Sequence, residues 1–260
     1  MIKNLRDRKV RKETGLFYIE GIKPVGEALC SGWDIESIVI APELLKSDFA
    51  QELVKKSEER HIDITAIDKE VFKSISEKDG PQGIGAVVYF QTVSLDRVKE
   101  IGGIWVGLDS VQDPGNLGTI IRTIDSAGAK GIILIGTCVD PFSLETVRSS
   151  MGAIFSAKII TTSSDDFLLW NAKTEIQLVG TSDKAGLDFR DSRYQADMIL
   201  LMGSEQKGLN PALMNACSSM VSIPMLGKSD SLNLAVATGI ILYEITSQLE
   251  DENPANGGTV

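Results

Sequence analysis

The stretch DPGNLGTIIRTIDSAGAKGIIL, residues 113–134, decides how the second half of the chain is read. It follows the apolar run IWVGLDSV, residues 104–111, and passes from a glycine-containing turn into a segment whose apolar residues recur with helical spacing. Leu117, Ile120, Ile121, Ile124 and Ala127 fall on one side of the expected helix, while Thr119, Arg122 and Ser126 line another. Arg122 therefore projects away from the core. By itself such an arginine reads as a solvated charge, and it gains meaning only if other loops deliver polar groups beside it.

A turn of this kind after a strand raises the question of phosphate. A dinucleotide-binding turn needs G-x-G-x-x-G, and a P-loop needs a lysine followed by Ser or Thr. Asp113, Pro114, Gly115, Asn116 and Gly118 instead space their glycines as G-x-x-G, with no such lysine pair after them. Both phosphate-loop readings fail on spacing, and a nucleotide-dependent oxidoreductase fails with them.

Outward from this stretch the pattern alternates between strand and helix. AIFSAKII, IQLVGTS, MILLMGSE and VSIPM read as strands, the segments around DFLLWNAK and NPALMNACS as helices, and a long helix runs from about Leu232 to Leu249. Upstream, LFYIEG, ESIVIAP, DITAID and GIGAVVYF alternate with the helices KPVGEALCSG, DFAQELVKKSEERH (opened by Asp48) and KEVFKSISE, predicting a smaller α/β unit over about residues 14–91. The polar stretch 91–103 is the expected linker. The domains predicted are therefore 1–95, with a basic opening, and 101–250, followed by a mobile tail over 251–260.

Strands separated by helices favour a mostly parallel sheet with ligands at the carboxyl ends of its strands. The loops to search follow GLDSV, VGTS, LLMG and SIPM. They offer Asn116, Glu205, Ser231 and Asn233. Ser231 and Asn233 on their own read as ordinary helix caps. Glu205 could pair on the surface, cap a helix, or hold a guanidinium by a bidentate contact.

Bulk properties exclude several classes. A chain of 260 residues that is 43% hydrophobic and 24% charged is an ordinary globular protein with room for two domains. Its apolar runs fall short of the roughly 18 residues of a membrane span, and MIKNLRDRKVRK lacks the apolar middle of a signal peptide, so the cytoplasm is the expected location. Cys30, Cys138 and Cys217 are odd in number and far apart, which argues for reduced thiols rather than disulfides or zinc. His61, the one histidine, lies in a charged helix and reads as solvated, so no metal is expected. A net charge of -10 counts against a nucleic acid partner, yet the first twelve residues hold Lys3, Arg6, Arg8, Lys9, Arg11 and Lys12 against Asp7 alone. A local basic face can bind a polyanion while the remainder is acidic. A solvated helix end explains the same charges.

Three blocks, DSVQDPGNLGTIIRTIDSAGA, LMGSEQKGLN and IPMLGKSDSLNLAVATGIILYE, resemble in order and spacing the motifs of the SpoU (TrmH-like) RNA ribose 2′-O-methyltransferases of the SPOUT superfamily. RSSMGAIF, residues 148–155, is similar to the family's K-x-S-x-G-A motif, with Arg148 where lysine is common and Ser150, Gly152 and Ala153 matching. RKVRKETGLFYIEGIKPVGEAL resembles the family's ribosomal-protein-like substrate-binding domain.

The resemblance implies an α/β fold with a trefoil-knotted catalytic domain, a feature no periodicity would suggest. It implies that the cofactor S-adenosyl-L-methionine is held largely by backbone groups at Thr181, Gly203, Ile223 and Leu232. The implied activity is methylation of a ribose 2′-hydroxyl in structured RNA, with 23S ribosomal RNA favoured; transfer RNA as substrate and an inactive RNA-binding protein are the alternatives. Arg122 matches the family's catalytic arginine, as proton acceptor or, since guanidinium stays charged, as electrostatic stabiliser. Asn116 would orient Arg122 or the ribose, Glu205 would fix the arginine, and Ser231 and Asn233 would bind substrate. Arg6, Arg8, Lys9, Arg11, Lys12, Arg148 and Ser150 would contact RNA, and the protein would be a homodimer.

Overall fold

In the computed structural model, which describes residues 1–77 and 80–252, the backbone groups into two units. One comprises Met1–Gln91 with Asp140–Ser156, the other Thr92–Val139 with the chain from Ala157 onward. Among the described residues no helix is long and apolar enough to cross a membrane.

The amino-terminal unit opens with a 3-10 turn, Ile2–Arg6, and then α1 (Arg8–Thr14). Next come β1 (Leu16–Glu20), α2 (Ile22–Cys30), β2 (Ile35–Ile40), α3 (Asp48–Glu59), β3 (Asp63–Ala66), α4 (Lys69–Ile75) and β4 (Ile84–Tyr89). The sheet order is β1-β4-β2-β3, with β4 antiparallel to both neighbours and β2 parallel to β3. Ser47, not Asp48, caps α3: its side chain accepts from the Ala50 N–H, and Asp48 is the first helical residue.

The larger unit begins inside the expected linker. Val98 there is buried in the unit's core, and an apolar residue with such a site folds its neighbours into a helix, α5 (Asp96–Ile101). Then follow β5 (Ile104–Asp109), α6 (Pro114–Ser126) and β6 (Gly131–Ile135). The chain next supplies the amino-terminal unit with α7 (Leu144–Ser149), an element that the sequence reading missed. It returns for β7 (Lys158–Thr162), α8 (Ser164–Asn171), β8 (Gln177–Thr181), the two-residue β9 (Leu187–Asp188), β10 (Met198–Met202), α9 (Pro211–Ala216), β11 (Ser219–Ser222) and α10 (Leu234–Glu252). AIFSAKII is only partly strand, because Ala153–Phe155 forms a 3-10 turn. Asp251 and Glu252 belong to α10, while the remainder of the expected tail lies outside the described residues.

Asp140–Ser156 lies within the stretch expected to form the methyltransferase domain, yet it groups with the amino-terminal unit. Aromatic packing is the reason. Phe142 stacks on Phe90 with centroids 4.3 Å apart and lies 5.0 Å from Phe17, while Phe155 meets Trp33 edge-on at 5.1 Å. The Trp33 indole N–H also donates to the Phe155 carbonyl at 3.1 Å. Such pairs contribute roughly 0.5–1.5 kcal/mol each beyond their buried area.

The seven strands of the larger unit run in the order β7-β6-β5-β10-β8-β11-β9, and every pairing is parallel. Their near-continuous apolar runs follow from burial on both faces. Trp105, Ile133, Ile160, Ile199 and Leu201 pack with Phe167 of α8 and Leu213 of α9. Leu117, Ile120, Ile121 and Ile124 of α6 are fully buried, as periodicity predicted. From β5 the chain first builds outward through β6 and β7, and later fills the other side through β8, β10 and β11. The order reverses between β5 and β10, and in parallel sheets such a switch point opens a crevice at the carboxyl ends of the strands.

Candidate active site

At the switch point, β5 leads into α6 and β10 leads into the loop carrying Glu205. Asp113 caps α6 by accepting from the Asn116 N–H at 2.6 Å, with Pro114 at the first helical position. Asp113, Pro114, Gly115 and Asn116 thus form a cap and first helical turn rather than the loop expected. A cap spent on backbone leaves the Asn116 side chain free to reach elsewhere.

It reaches two other elements. Asn116 Nδ2 donates to Glu205 Oε1 at 2.6 Å, and Asn116 Oδ1 accepts from Asn233 Nδ2 at 2.9 Å. Asn233 Oδ1 in turn accepts from the N–H groups of Ala235 and Val236, capping α10. Both expected roles of Asn233, cap and site residue, are filled by one side chain, because an amide offers an acceptor and donors at once.

The loop 203–210 is stiff where it presents Glu205. Ser204 and Gly208 exchange backbone hydrogen bonds at 3.2 and 2.9 Å. A Cβ on Gly203 would lie 2.1 Å from the Gly208 carbonyl carbon, so only glycine fits where the loop folds back. Asp109, buried at the end of β5, accepts from the Asn210 N–H at 2.7 Å and from the Ser110 hydroxyl at 2.9 Å. The sequence reading missed Asp109; its signal was a carboxylate ending a wholly apolar strand.

Arg122 is exposed, two turns along α6 from Asn116 on the Asn116–Thr119–Arg122 side. Among the described residues its guanidinium has no hydrogen-bond or ion-pair partner. The expectation that Glu205 fixes Arg122 is corrected: Glu205 holds Asn116 instead. Ser231 and Leu232 lie exposed just before Asn233.

Thr181, Gly203 and Ile223 stand at the carboxyl ends of β8, β10 and β11, which neighbour one another in the order β10-β8-β11. The Thr181 hydroxyl donates to the Leu201 carbonyl at 3.1 Å, so its side chain serves the fold. Among the described residues, the backbone N–H and C=O groups of Gly203, Ile223 and Leu232 take no hydrogen bond. Backbone polar groups at strand ends are ordinarily paired, and a row of open ones suits a polar ligand held by main chain.

The expected RNA contacts lie in the amino-terminal unit. Lys3, Arg6, Arg8, Lys9, Lys12 and Arg148 are exposed there, with Arg6 at 3.1 Å from Glu77 and Lys9 at 3.9 Å from Glu13. Two of the expected contacts are corrected. Arg11 is 4% exposed and fully engaged with protein groups. Ser150 is buried and its hydroxyl donates to the Val147 carbonyl at 2.7 Å, while Gly152 supplies a left-handed turn at φ 99°. The motif RSSMGA thus builds a tight loop and leaves Arg148 as its one charged, outward side chain.

Burial pushes the thiol of Cys217 up to about 11 and raises that of Cys138, so both stay protonated near neutrality. Among the described residues no cluster of His, Cys, Asp and Glu could hold a metal ion.

The SpoU rRNA Methylase family matches residues 103–243, and the MRM3-like substrate binding domain matches residues 1–86. The chain is 33% identical over 252 residues to the 23S rRNA (uridine(2479)-2′-O)-methyltransferase of Streptomyces viridochromogenes, covering 94% of this chain and 87% of that protein. It is 29% identical to the Bacillus subtilis 23S rRNA (guanosine(2553)-2′-O)-methyltransferase RlmP, over 94% of this chain and 93% of the relative. Among solved structures, the AdoMet-bound rRNA methyltransferase from Sinorhizobium meliloti superposes with a TM-score of 0.85 at 39% identity, covering 95% of this chain and 93% of that one. With the family model matching more than half of its length and its parallel sheet superposing on a solved member, the chain belongs to the SpoU rRNA methylase family, enzymes that transfer a methyl group from S-adenosylmethionine to RNA.

Proposed function

We propose that the protein methylates a ribose 2′-hydroxyl of 23S ribosomal RNA. The observation that carries this reading is the linkage of Glu205, Asn116 and Asn233 from three separate elements, with Asn116 on the helix whose Arg122 has no partner among the described residues. Relatives named for 23S ribosomal RNA support the substrate. The same reading places the enzyme in the cytoplasm, where ribosomal RNA would be its partner.

A 2′-hydroxyl is a weak nucleophile until its proton begins to leave. The site must therefore position the ribose and favour negative charge on its oxygen. Arg122 fits the second task, since a guanidinium stays charged and, without a partner among the described residues, this one is available to the oxyanion or a neighbouring phosphate. Asn116 keeps one amide hydrogen beyond its bond to Glu205, and this donor would orient the ribose. Ser231, exposed beside Asn233, would hold the substrate from the other side. Glu205 and Asn233 fix the Asn116 amide in one rotamer.

The open backbone groups of Gly203, Ile223 and Leu232, with the Thr181 strand end, would hold S-adenosylmethionine. When bound, that cofactor supplies a methyl group on a sulfonium that leaves as a neutral thioether.

Two further parts belong to this reading. From β11 the chain returns to bond Asn116, next to β5, although β8 and β10 lie between. Residues 223–233 therefore pass over the ends of two strands, which supports a trefoil knot in a methyltransferase domain over 101–250, the 140–156 segment apart, with 1–95 as the RNA-binding domain. Homodimer formation is supported by α10. Its inner face buries Leu234, Ile241, Leu242 and Ile245, while Val236, Ile240 and Tyr243 form an outward apolar stripe, 50, 38 and 53% exposed. An apolar stripe at i, i+4 and i+7 is a helix-packing face without a partner.

Purified protein supplied with labelled S-adenosylmethionine is expected to mark protein-free 23S ribosomal RNA, with the label resisting alkaline cleavage at one ribose. Label found only in transfer RNA, or only on a base, would overturn the reading.

A further inference from the structure

Arg11 does something other than bind phosphate. Its Nε and Nη2 donate to Asp140 Oδ2 at 2.9 and 2.6 Å, and its Nη1 donates to the carbonyls of Leu5 and Arg6 at 2.6 and 2.8 Å. Asp140 Oδ1 accepts from the Phe142 N–H at 2.9 Å, and the Asp140 carbonyl accepts from the Thr146 hydroxyl at 3.2 Å. One buried ion pair thus ties the opening turn and α1 to the start of the segment that carries α7. Leu5 and Leu144 meet in the same apolar cluster.

Stability alone is a poor reason for such a pair. Desolvation offsets most of its attraction, and apolar side chains of similar volume often serve as well or better. What a forked guanidinium adds is a single geometry between the segments it bonds. Two exposed cations on those segments flank one carboxylate: Arg6 contacts Glu77, and Glu77 lines one small cavity together with Leu144 and Arg148.

We propose that Arg11 and Asp140 are a positioning pair that fixes the basic arm against the α7 segment, so that Lys3, Lys9, Lys12 and Arg148 meet RNA as one surface. This rests on the reading that the arm contacts RNA. Counterion release then depends on how many of these cations reach phosphates together, and that number is set by the pair.

The test is a cycle on the full-length protein with protein-free 23S ribosomal RNA as probe. Arg11→Met with Asp140→Leu removes both buried charges at once, so neither is left unpaired. Because the Phe142 N–H and the Leu5 and Arg6 carbonyls lose their partners, this variant is expected to melt at a lower temperature, yet where it stays folded to keep kcat while its KM for RNA rises roughly tenfold. Lys9→Gln with Lys12→Gln should lower the salt slope of binding by about 2 in the native background, and by much less beside the Arg11 and Asp140 changes. Equal losses in both backgrounds would overturn the positioning pair and leave the arm's role intact. No loss in the native background would overturn the arm's role and the pair with it. If the Met/Leu variant does not fold, Arg11→Lys, which keeps the charge and loses the fork, carries the same cycle and the same two refuting outcomes.

Discussion

Replacing Arg122 with alanine separates catalysis from folding more cleanly than any other change at this site. The side chain is exposed, and its helix is anchored on the opposite face by Leu117, Ile120, Ile121 and Ile124, all fully buried. With no bond to lose among the described residues, the variant should hold its stability within about 0.5 kcal/mol, or roughly 2 °C in melting temperature. Loss of one preorganised charge at a developing oxyanion costs about 2.7–4 kcal/mol, so kcat should fall by about 10²–10³. Single-turnover methyl transfer at saturating RNA measures the loss, and calorimetry should find cofactor affinity unchanged. The pH profile then separates two roles. An arginine acting as proton acceptor must first give up its own proton, so activity would climb tenfold per pH unit through the alkaline range. An electrostatic stabiliser gives no such climb, and Arg122→Lys should show a flat profile at reduced kcat below the ordinary lysine range and lose activity as the ammonium deprotonates, above about pH 10. A variant Arg122→Ala with more than about a tenth of native turnover would refute the assigned role, since even one donor is worth more than that.

Other perturbations probe the supports around it. Asn116→Ala removes the bonds to Glu205 and Asn233, both at exposed partners that water can satisfy, so kcat/KM should fall about 10²-fold with a stability loss near 1 kcal/mol; unchanged kinetics would dismiss the linkage as decoration. Tyr243→Glu puts a charge into the exposed stripe of α10 and should yield monomers by sedimentation; an unaltered dimer would move the interface elsewhere. Tyr194, buried and donating to the Phe189 carbonyl at 2.5 Å, has its hydroxyl pushed by burial up to about 12, above the ordinary 10. The folded state then holds a proton that the unfolded chain releases between those values, so stability is full below pH 10 and declines by about 3 kcal/mol toward pH 12. Tyr194→Phe should flatten that part of the alkaline unfolding curve, and an unchanged slope would assign the decline to other groups.

How much of this was legible in the sequence depended on whether a residue's partner was local. The α6 stripe, most strands of the parallel sheet and the helix within NPALMNACS were readable because periodicity and capping act within a few residues. Helix α5 was missed because six residues with one buried valine carry almost no periodic signal. Helix α7 was missed for a related reason: its segment is held by Trp33, Phe17 and Phe90, between about 50 and 140 residues away in sequence, and nothing local marks that packing. Arg11 shows the same limit for charge. Among six cations in twelve residues it looks like its neighbours, and only Asp140, 129 positions on, distinguishes it.

The site itself was legible as a set of residues and not as an arrangement, and the distinction has a physical cause. Asn116, Glu205 and Asn233 each have a sufficient local explanation as a turn amide, a surface carboxylate and a helix cap. Those explanations and a catalytic role are not exclusive. Asn233 uses its oxygen to cap α10 and its nitrogen to hold Asn116, so a local reading accounts for half of the side chain and leaves the other half without a reason. The missing half comes from topology: β10 lies beside β5, and the chain leaving β11 comes back across β8 and β10. A cofactor site made of backbone groups at strand ends carries the same problem further, because almost any side chain is compatible with an open N–H or C=O. Recognition by motif succeeds there only through residues such as Gly203, where the loop folds back too tightly for a Cβ and the sequence has no freedom to vary.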